Sequence, residues 1–377
     1  MTKEDGTPRN VVRDKIALVK EGLLYLFSNI RYEINDRQVE SIYHPGQVQN
    51  MLSYLLEDNS YNGTLSLGHC GLNDTFVNGP DTGAPVDDNL GFTRRRQFIL
   101  GSDPAGTFSF YIPLNRLFGF FRDYDKLIWG LKQRLIMTRT HDNDAIFKGE
   151  FIAANGPNPA LNHDGKVTLS KVSWFVPHLQ TNEKTTSSLL KFRNSGLDIN
   201  LSFRGISCSK YEVPQGERTM SYKLGPVPST ERPRYLLLGF QVNRDNNQDR
   251  NGAQFDTVDM TNLKVLLNEK QYPTVEYRTD FNKRSFMRVY NDAVKWRHKF
   301  LDHGSPGLNP FEWKDIFPIF VIDLSKQAER FEKSLSDVTI VAQFSEDIPQ
   351  HTRLFAVLIS DIIMTMKTDG TRVILTS

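Results

Sequence analysis

Two heptapeptides occupy equivalent places in an internal repeat and decide how the rest of the chain is interpreted. They are Leu131-Lys132-Gln133-Arg134-Leu135-Ile136-Met137 and Val338-Thr339-Ile340-Val341-Ala342-Gln343-Phe344. Both contain the apolar and β-branched residues that strands favour. Pro113 and Pro318, which precede them, lie 205 positions apart, and so do the Asp-Gly pairs that begin at Asp164 and Asp369. This common offset predicts two structurally related halves.

Most of the remaining sequence is typical of short strands separated by turn residues. Alternation of apolar and polar residues is clearest at 107–112, where Phe108, Phe110 and Ile112 would share one face. We predict further strands at 96–100, 131–138, 166–176, 197–207, 235–242, 263–268, 338–344, 354–364 and 371–375. This pattern favours an all-β sandwich or barrel over alternating strands and helices.

Few helices are predicted. The strongest is 285–301, whose apolar residues form one broad stripe, whereas 47–56 and 325–333 are shorter and 14–30 is ambiguous between helix and strand. The segment 225–233 contains three prolines, which lack a backbone donor and have a fixed φ, so we expect a stiff connector there. The sequence therefore predicts one β-domain over 1–225, a linker over 226–234 and a second β-domain over 235–377.

Composition excludes several classes of protein. The chain has 377 residues, of which 39% are hydrophobic, and a net charge of +2. These values permit a large core and lack the basic excess of a protein that coats nucleic acid. Two cysteines, Cys70 and Cys208, are too few for a disulfide framework. The sequence shows neither a signal-peptide pattern nor an apolar run long enough to span a bilayer, so we expect a protein kept in a reducing, non-secretory compartment.

A search for catalytic motifs gives no match. The sequence has no GxSxG, HExxH, phosphate-binding Gly-Lys-Ser/Thr or GxGxxG pattern, and none of its eight histidines forms the His-x-His pair that a cupin uses to bind metal. Asp123, Asp125, Asp142 and Asp144 lie among turn residues, with nothing to mark an acid–base pair. We therefore predict no catalytic residue, no cofactor site, no metal site and no enzymatic activity.

Three other features admit a functional and a structural interpretation. His69 and Cys70 could act as base and nucleophile, but neighbours on a strand point to opposite faces, which favours a buried thiol beside a turn. The loop 245–256 spaces its oxygen-bearing side chains like a calcium loop, but its sixth position is an arginine, which favours an ordinary polar loop. The basic runs 93–96 and 295–299 are expected to be solvated or to face another subunit, with contact to nucleic acid as the alternative.

Several longer motifs extend over most of the chain. In the first half they are Gly106-Thr107-Phe108-Ser109-Phe110-Tyr111-Ile112-Pro113-Leu114, Phe118-Gly119-Phe120, Asp123-Tyr124-Asp125-Lys126 and Lys171-Val172-Ser173-Trp174-Phe175-Val176-Pro177-His178. In the second half they are Pro233-Arg234-Tyr235, Gly239-Phe240-Gln241, Phe317-Pro318-Ile319-Phe320-Val321, Asp323-Leu324-Ser325-Lys326-Gln327 and Ala356-Val357-Leu358-Ile359-Ser360-Asp361. Together they resemble the major capsid proteins of Polinton/Maverick-like and virophage-like DNA viruses, a family with copies integrated in animal genomes. The motifs are structural, so they identify a lineage rather than an active site.

The resemblance implies a double jelly roll, which consists of two eight-stranded antiparallel β-barrels in tandem. It also implies pseudo-hexagonal homotrimeric capsomers, an icosahedral shell around double-stranded DNA, and location in the virion. The implied partners are further copies of the chain, penton and minor capsid proteins, a packaging ATPase and a maturation protease. No cofactor, transmembrane segment or sequence-specific nucleic-acid binding is expected. Family members tend to have a strand-like segment before the region that matches Lys3-Glu4-Asp5-Gly6, so this chain is expected to be either naturally short there or a truncated or domesticated copy. An incomplete first barrel would expose a sheet edge that a neighbouring subunit could cover.

Two other functions stay open on the sequence alone. A host-domesticated jelly-roll protein would no longer form particles and would bind a glycan or a protein. Trp296 and Trp313 would be its aromatic anchors, although packing in a core or an interface is the favoured use of both. An enzyme built on a β-barrel would need a metal or cofactor site that the motifs do not indicate.

Overall fold

The structure is a computed structural model of the whole chain. It describes all residues except 4–5, 8–15, 59, 62–64, 76–88, 103–104, 129–130, 142, 150–163, 197, 229, 305, 328–335, 369–372 and 377.

The described residues form antiparallel strands and mostly short helices. The strands are β1 (Thr2–Lys3), β2 (Ile16–Leu18), β3 (Phe27–Ile34), β4 (Arg37–Tyr43), β5 (Gln133–Arg139), β6 (Ile146–Lys148), β7 (Gly165–Lys166), β8 (Ile199–Glu212), β9 (Thr219–Lys223), β10 (Glu231–Val242), β11 (Met260–Leu267), β12 (Lys270–Tyr272), β13 (Phe320–Asp323), β14 (Val338–Phe344), β15 (Thr352–Thr368) and β16 (Val373–Thr376). The helices are α1 (Gly22–Tyr25), α2 (Pro45–Leu56), α3 (Leu90–Leu100), α4 (Leu114–Leu117), α5 (Gly119–Asp123), α6 (Glu183–Asn194), α7 (Met287–Leu301) and α8 (Pro310–Ile316).

The largest sheet is organised around β15. One edge of β15 pairs with β8, and the other pairs with β10 and then with β16, while β13 pairs with the far side of β10. Every residue of β15 from Leu354 to Ser360 is buried, as expected for a strand covered on both faces. One covering layer is helical, since Trp296 of α7 contacts Tyr235 of β10 with ring centroids 5.9 Å apart.

A second sheet covers the opposite face. Its order is β12-β11-β14-β9, and β14 alternates buried and more exposed residues, as a strand with one face on a core should. The rings of Phe240 on β10 and Phe344 on β14 meet edge to face at 5.6 Å between the two sheets. The second half of the chain is therefore a β-sandwich.

The first half contains smaller sheets. Strands β4, β3 and β5 form a three-stranded sheet in that order, and β2 pairs with β6 and β1 with β7. Buried apolar residues from this three-stranded sheet and from the whole second half belong to one continuous core, whereas β2, β6 and α3 surround a smaller one.

Most of the longer predicted elements are confirmed. Strands β8, β10, β11, β14 and β15 overlap the segments predicted at 197–207, 235–242, 263–268, 338–344 and 354–364, and helices α2 and α7 overlap 47–56 and 285–301. Strand β16 overlaps 371–375, of which residues 371–372 lie outside the described residues. Both heptapeptides of the proposed repeat are strands, β5 and β14. The second Asp-Gly pair, 369–370, lies outside the described residues, so the repeat itself stays a prediction.

Three predicted strands are wrong. Residues 96–100 lie in α3, which Asn89 caps by accepting a hydrogen bond from the Phe92 amide at 3.1 Å. Residues 107–112 form no ladder, because their alternating aromatic side chains pack on each other and on Phe98 without a neighbouring strand. The predicted strand 166–176 reduces to β7, and the residues after it pair with no other strand.

Two further segments with a predicted or ambiguous structure are partly described. The described part of 14–30 contains β2, α1 and the start of β3. Of the predicted helix 325–333, Ser325 and Lys326 form a turn, and residues 328–333 lie outside the described residues.

The predicted linker takes part in the sheets. Val227 bridges to Ser336, and β10 begins at Glu231. Strand β8, which precedes the linker in the chain, pairs along β15, which follows it. The boundary between the two domains stays a prediction. Any boundary has to account for β8, which pairs with a strand on the other side of the predicted linker.

A buried carboxylate connects three separate elements of the chain. Glu40 on β4 accepts backbone hydrogen bonds from Gly119 (3.2 Å), Phe120 (3.0 Å) and Ile206 (2.8 Å), so it connects β4 to α5 and to β8. At Gly119 the approach is so close that a Cβ atom would collide with the carbonyl oxygen of Arg204. Burial raises the pKa of Glu40 to about 7, although the three backbone donors favour its charged form.

This pKa predicts a specific dependence of stability on pH. Between pH 4.5 and 7 the folded protein retains a proton on Glu40 that the unfolded chain has lost, so the free energy of unfolding falls as the pH rises through this window. The shift corresponds to about 3 kcal/mol. Urea denaturation of the wild type and Glu40→Gln at pH 4.5, 6 and 8 measures it, because glutamine does not titrate. The advantage of the wild type over the variant should shrink toward pH 8.

The matched control is Glu346→Gln, which removes an exposed carboxylate. Its difference from the wild type should change little over the same range. A wild-type advantage over Glu40→Gln that is equal at all three pH values would contradict the assignment.

Candidate functional site

The His69-Cys70 pair is not arranged as a catalytic dyad. Cys70 is fully buried at the end of a 3₁₀ turn, with its Sγ 3.6 Å from the Val19 carbonyl oxygen, and burial raises its pKa to about 12. The His69 ring instead lies 3.1 Å from the Tyr61 hydroxyl through Nε2 and 2.7 Å from Arg116 through Nδ1. A thiol held in its protonated form is a poor nucleophile, so the structural interpretation agrees with this geometry.

His69 belongs to a buried ionic cluster that sequence reasoning missed. The cluster comprises Lys20, Glu21, Glu57, His69 and Arg116. The Arg116 guanidinium donates to Glu21 at 2.9 Å and also pairs with Glu57. Lys20 lies 3.9 Å from Glu21, donates to Ser53 and sits over the Tyr54 ring. The available signal was a charged pair that interrupts two apolar runs, 16–19 and 22–27.

Electrostatics in the cluster follow from burial and pairing. Burial lowers the pKa of Lys20 and raises that of Glu57. Burial also opposes ionisation of Glu21, but Arg116, the His69 hydrogen bond and Lys20 outweigh it and hold the pKa of Glu21 well below its usual range. Perturbed groups of this kind also occur in active sites. Neither of the two clefts described below is lined by any of these five residues, and the cluster connects the chain before α1 to α2, the 3₁₀ turn and α4. Its geometry therefore indicates a structural role.

The acidic residues of the loop 245–256 bind cations and backbone amides of the protein itself. Asp256 accepts from Arg244 at 2.6 Å and from the Val242 amide at 2.8 Å. Asp245 pairs with Arg353, and Asp249 lies 2.9 Å from Lys148. In the described part of the chain, no three acidic, histidine or cysteine side chains converge on a point where a metal could bind. The loop has the polar, inter-strand character that the sequence favoured.

Several cations of the two basic runs form ion pairs within the chain. Arg95 is completely buried and donates to Asp74 at 2.6 Å and to the Leu18 carbonyl at 3.1 Å, so the prediction of a solvated run is wrong for this residue. In the second run, Arg297 pairs with Asp58 at 3.1 Å and Lys299 with Asp323 at 2.5 Å.

The remaining candidate residues are also explained by packing. Asp123 binds Arg204 through two hydrogen bonds of 2.7 and 2.9 Å. Asp144 accepts from the Asn246 amide, and Asp142 lies outside the described residues. Trp296 and Trp313 are 1% and 0% exposed, so neither can anchor a partner on the surface.

Two clefts of the described chain differ greatly in volume. One is an enclosed space of about 10 Å³ near Arg244, His351 and Arg353, which is about the size of a single water. The other is an open cleft of about 840 Å³ lined by Val275, Met287 and several arginines, of which Arg288 is engaged by backbone carbonyl oxygens. None of the helices in the described part of the chain has the length and apolar character needed to cross a bilayer.

The most unusual surface is an arm that we define as residues 168–194. Its first part, 168–182, contains no helix, turn or bend, and its second part is α6. Almost every residue of the arm is exposed, including Phe175 (90%), Leu179 (75%) and Val172 (60%). Trp174 makes an edge contact with Tyr32 of β3, with ring centroids 6.4 Å apart. Soluble monomers seldom expose so many large apolar side chains together, which marks the arm as a candidate interaction surface.

Comparison with known proteins gives a family and a fold. A family model described as a double jelly roll-like domain matches residues 87–364. The Faustovirus major capsid protein aligns with a TM-score of 0.51 and 11% identity, over 98% of this chain and 76% of that one. The Sputnik virophage structure by cryo-EM gives 0.49 and 10%, over 98% and 78%, and the mavirus major capsid protein gives 0.46 and 10%, over 98% and 80%. No curated protein matches the sequence.

The ionic cluster predicts an asymmetry between buried and exposed ion pairs. Glu21→Gln leaves Arg116 and Lys20 buried without their main counter-charge, so we expect a loss of about 3–5 kcal/mol in the free energy of unfolding. Asp347→Asn breaks an exposed pair with Arg218 that solvent screens, so it should cost far less. Chemical denaturation at pH 7 measures both. Equal, small losses would contradict the structural role of the cluster.

Proposed function

Because the chain belongs to the family of double jelly roll-like domain proteins, we propose that it is a structural capsid protein. The family model covers most of the chain, and the fold is a double jelly roll, the fold it shares with the Faustovirus major capsid protein. The observation that carries the proposal is this fold together with the exposed apolar side chains of the arm. Buried polar clusters hold the body together, and the large exposed apolar surface lies on the arm.

The assembly we propose is a homotrimer. Three chains with two β-barrels each would place six barrels in a ring, and a pseudo-hexagonal unit can tile a closed icosahedral shell. Such a shell would enclose double-stranded DNA in the virion, with penton and minor capsid proteins as further partners. The near-neutral net charge of +2 suits a container that does not condense its genome by charge neutralisation.

The competing binding-protein hypothesis has less support. Its proposed anchors, Trp296 and Trp313, are core residues that stack on Phe300 and Phe286. A non-enzymatic role also accords with the buried cluster and the occupied polar loop, whose charged groups are neutralised by one another rather than directed at a substrate.

Oligomeric mass tests the proposal. Light scattering of the purified protein should give about 130 kDa, three times the 43.2 kDa of one chain, and negative-stain microscopy under assembly conditions should show hexagonal tiles or closed shells. A stable 43.2 kDa species at all concentrations, with no particles, would contradict a capsid role.

A further inference from the structure

The first part of the arm lacks the hydrogen bonds to other described residues that a strand would make. From residue 168 to residue 180 no backbone or side-chain group makes a hydrogen bond to any residue that the structure describes. An unpaired segment of this length presents N–H and C=O groups, apart from the missing N–H of Pro177, that can add to the edge of a sheet. The neighbouring β7 stops at Lys166, so pairing ends where the arm begins.

The side chains of the arm are apolar on both faces. Val172, Trp174 and Val176 alternate on one side, and Trp174 on that side contacts Tyr32 of the same chain. Phe175 and Leu179 lie on the other side and are the most exposed large apolar residues of the arm. A run such as Trp174-Phe175-Val176 is typical of a strand covered on both faces, and here only one face has a neighbour.

Helix α6 has the same property. Asn182 caps it by accepting from the Thr185 amide at 2.8 Å, yet Leu190 and Phe192 stay exposed. Among the described elements, none packs extensively against it. A helix of twelve residues is marginally stable in water when isolated. A partner that covers its apolar side would stabilise it.

The chain itself offers a surface that fits the arm. Strand β5 pairs with β3 on one edge, and on its other edge it pairs with no strand in the described ranges. Its central residues Leu135, Ile136 and Met137 are half-buried, as expected for an edge that lacks part of its cover. The arm has 27 residues, close to the roughly 20–30 residues that each side contributes to a stable interface.

We infer that residues 168–194 of one copy bind the body of a second copy of this chain, with the segment around Phe175 adding to the open edge of β5. This inference rests on the proposed function and identifies the segment through which copies associate. Each copy carries both the arm and the open edge, so the contact is heterologous and can close into a ring of three. The arm carries four lysine and arginine residues and a single glutamate, so nucleic acid is the competing partner. It fits less well because the unpaired backbone of the arm requires an ordered row of donors and acceptors.

The test combines a double variant with hydrogen exchange. Phe175→Asp with Leu179→Asp places two charges on the outward side of the arm and removes no contact within the monomer. Light scattering should shift from about 130 kDa to 43.2 kDa, because association of the copies is weakened by roughly 100-fold or more. The control is Leu65→Asp, an equally drastic change at another exposed apolar residue, which should keep the mass of the wild type.

Hydrogen exchange of the wild type keeps the inference testable even if the double variant does not fold. The amides of 168–180 should exchange slowly in the assembled protein and at unprotected rates after dilution to the monomer. Slow exchange in the monomer would mean that the arm folds on its own body, and protection that appears only after addition of a 30-base-pair DNA duplex would mean a nucleic-acid site. Either result overturns the inference.

Different results would overturn the arm contact and the capsid proposal. If the wild type is an oligomer and the double variant stays one with unchanged exchange, the arm is not the contact, but the capsid proposal stands. If the wild type is monomeric under every condition, both are overturned.

Discussion

The fold depends on satisfying polar groups where β4 and α5 meet β8, a strand of the largest sheet. Strand β8 comes from the first part of the chain and pairs along β15 at the end of it, so the largest sheet needs both. Glu40 secures this junction by accepting three backbone hydrogen bonds that would otherwise be left unmade in a buried place. An unpaired buried donor costs about 1–3 kcal/mol, so losing this carboxylate would disturb β4, α5 and β8 together.

The arm differs from the rest of the described chain in how little of it is buried. The ionic cluster around Glu21 and the Arg95–Asp74 pair are enclosed and neutralised within one chain. The arm, in contrast, leaves a stretch of backbone and several large apolar side chains without partners. Exposure of so many large apolar side chains in one segment is explained if another molecule covers it. This contrast is why the arm, and not the buried cluster, carries the functional proposal.

The sequence was most informative where local pattern and tertiary environment agree. Strand β14 and helix α7 have strong periodicity that matches one buried face, so both could be predicted from the residues. Residues 96–100 could not, because five apolar and polar residues fit a strand equally well until Asn89 is seen to cap a helix. The ionic cluster and the Glu40 junction join residues far apart in the chain. The sequence shows that a charged pair interrupts two apolar runs, but it does not indicate which residues those charges contact. Segment 166–176 has the pattern of a strand, but whether a strand pairs depends on a neighbour that the pattern does not specify.

The central claim is that this chain is a building block whose arm completes a neighbouring copy. A cryo-EM reconstruction of the assembled wild-type protein tests it most directly. We expect three copies around a threefold axis, with density for the Trp174-Phe175-Val176 segment of each copy lying along the β5 edge of the next. A reconstruction of single copies, or of an assembly in which each arm packs on its own barrel, would contradict the claim.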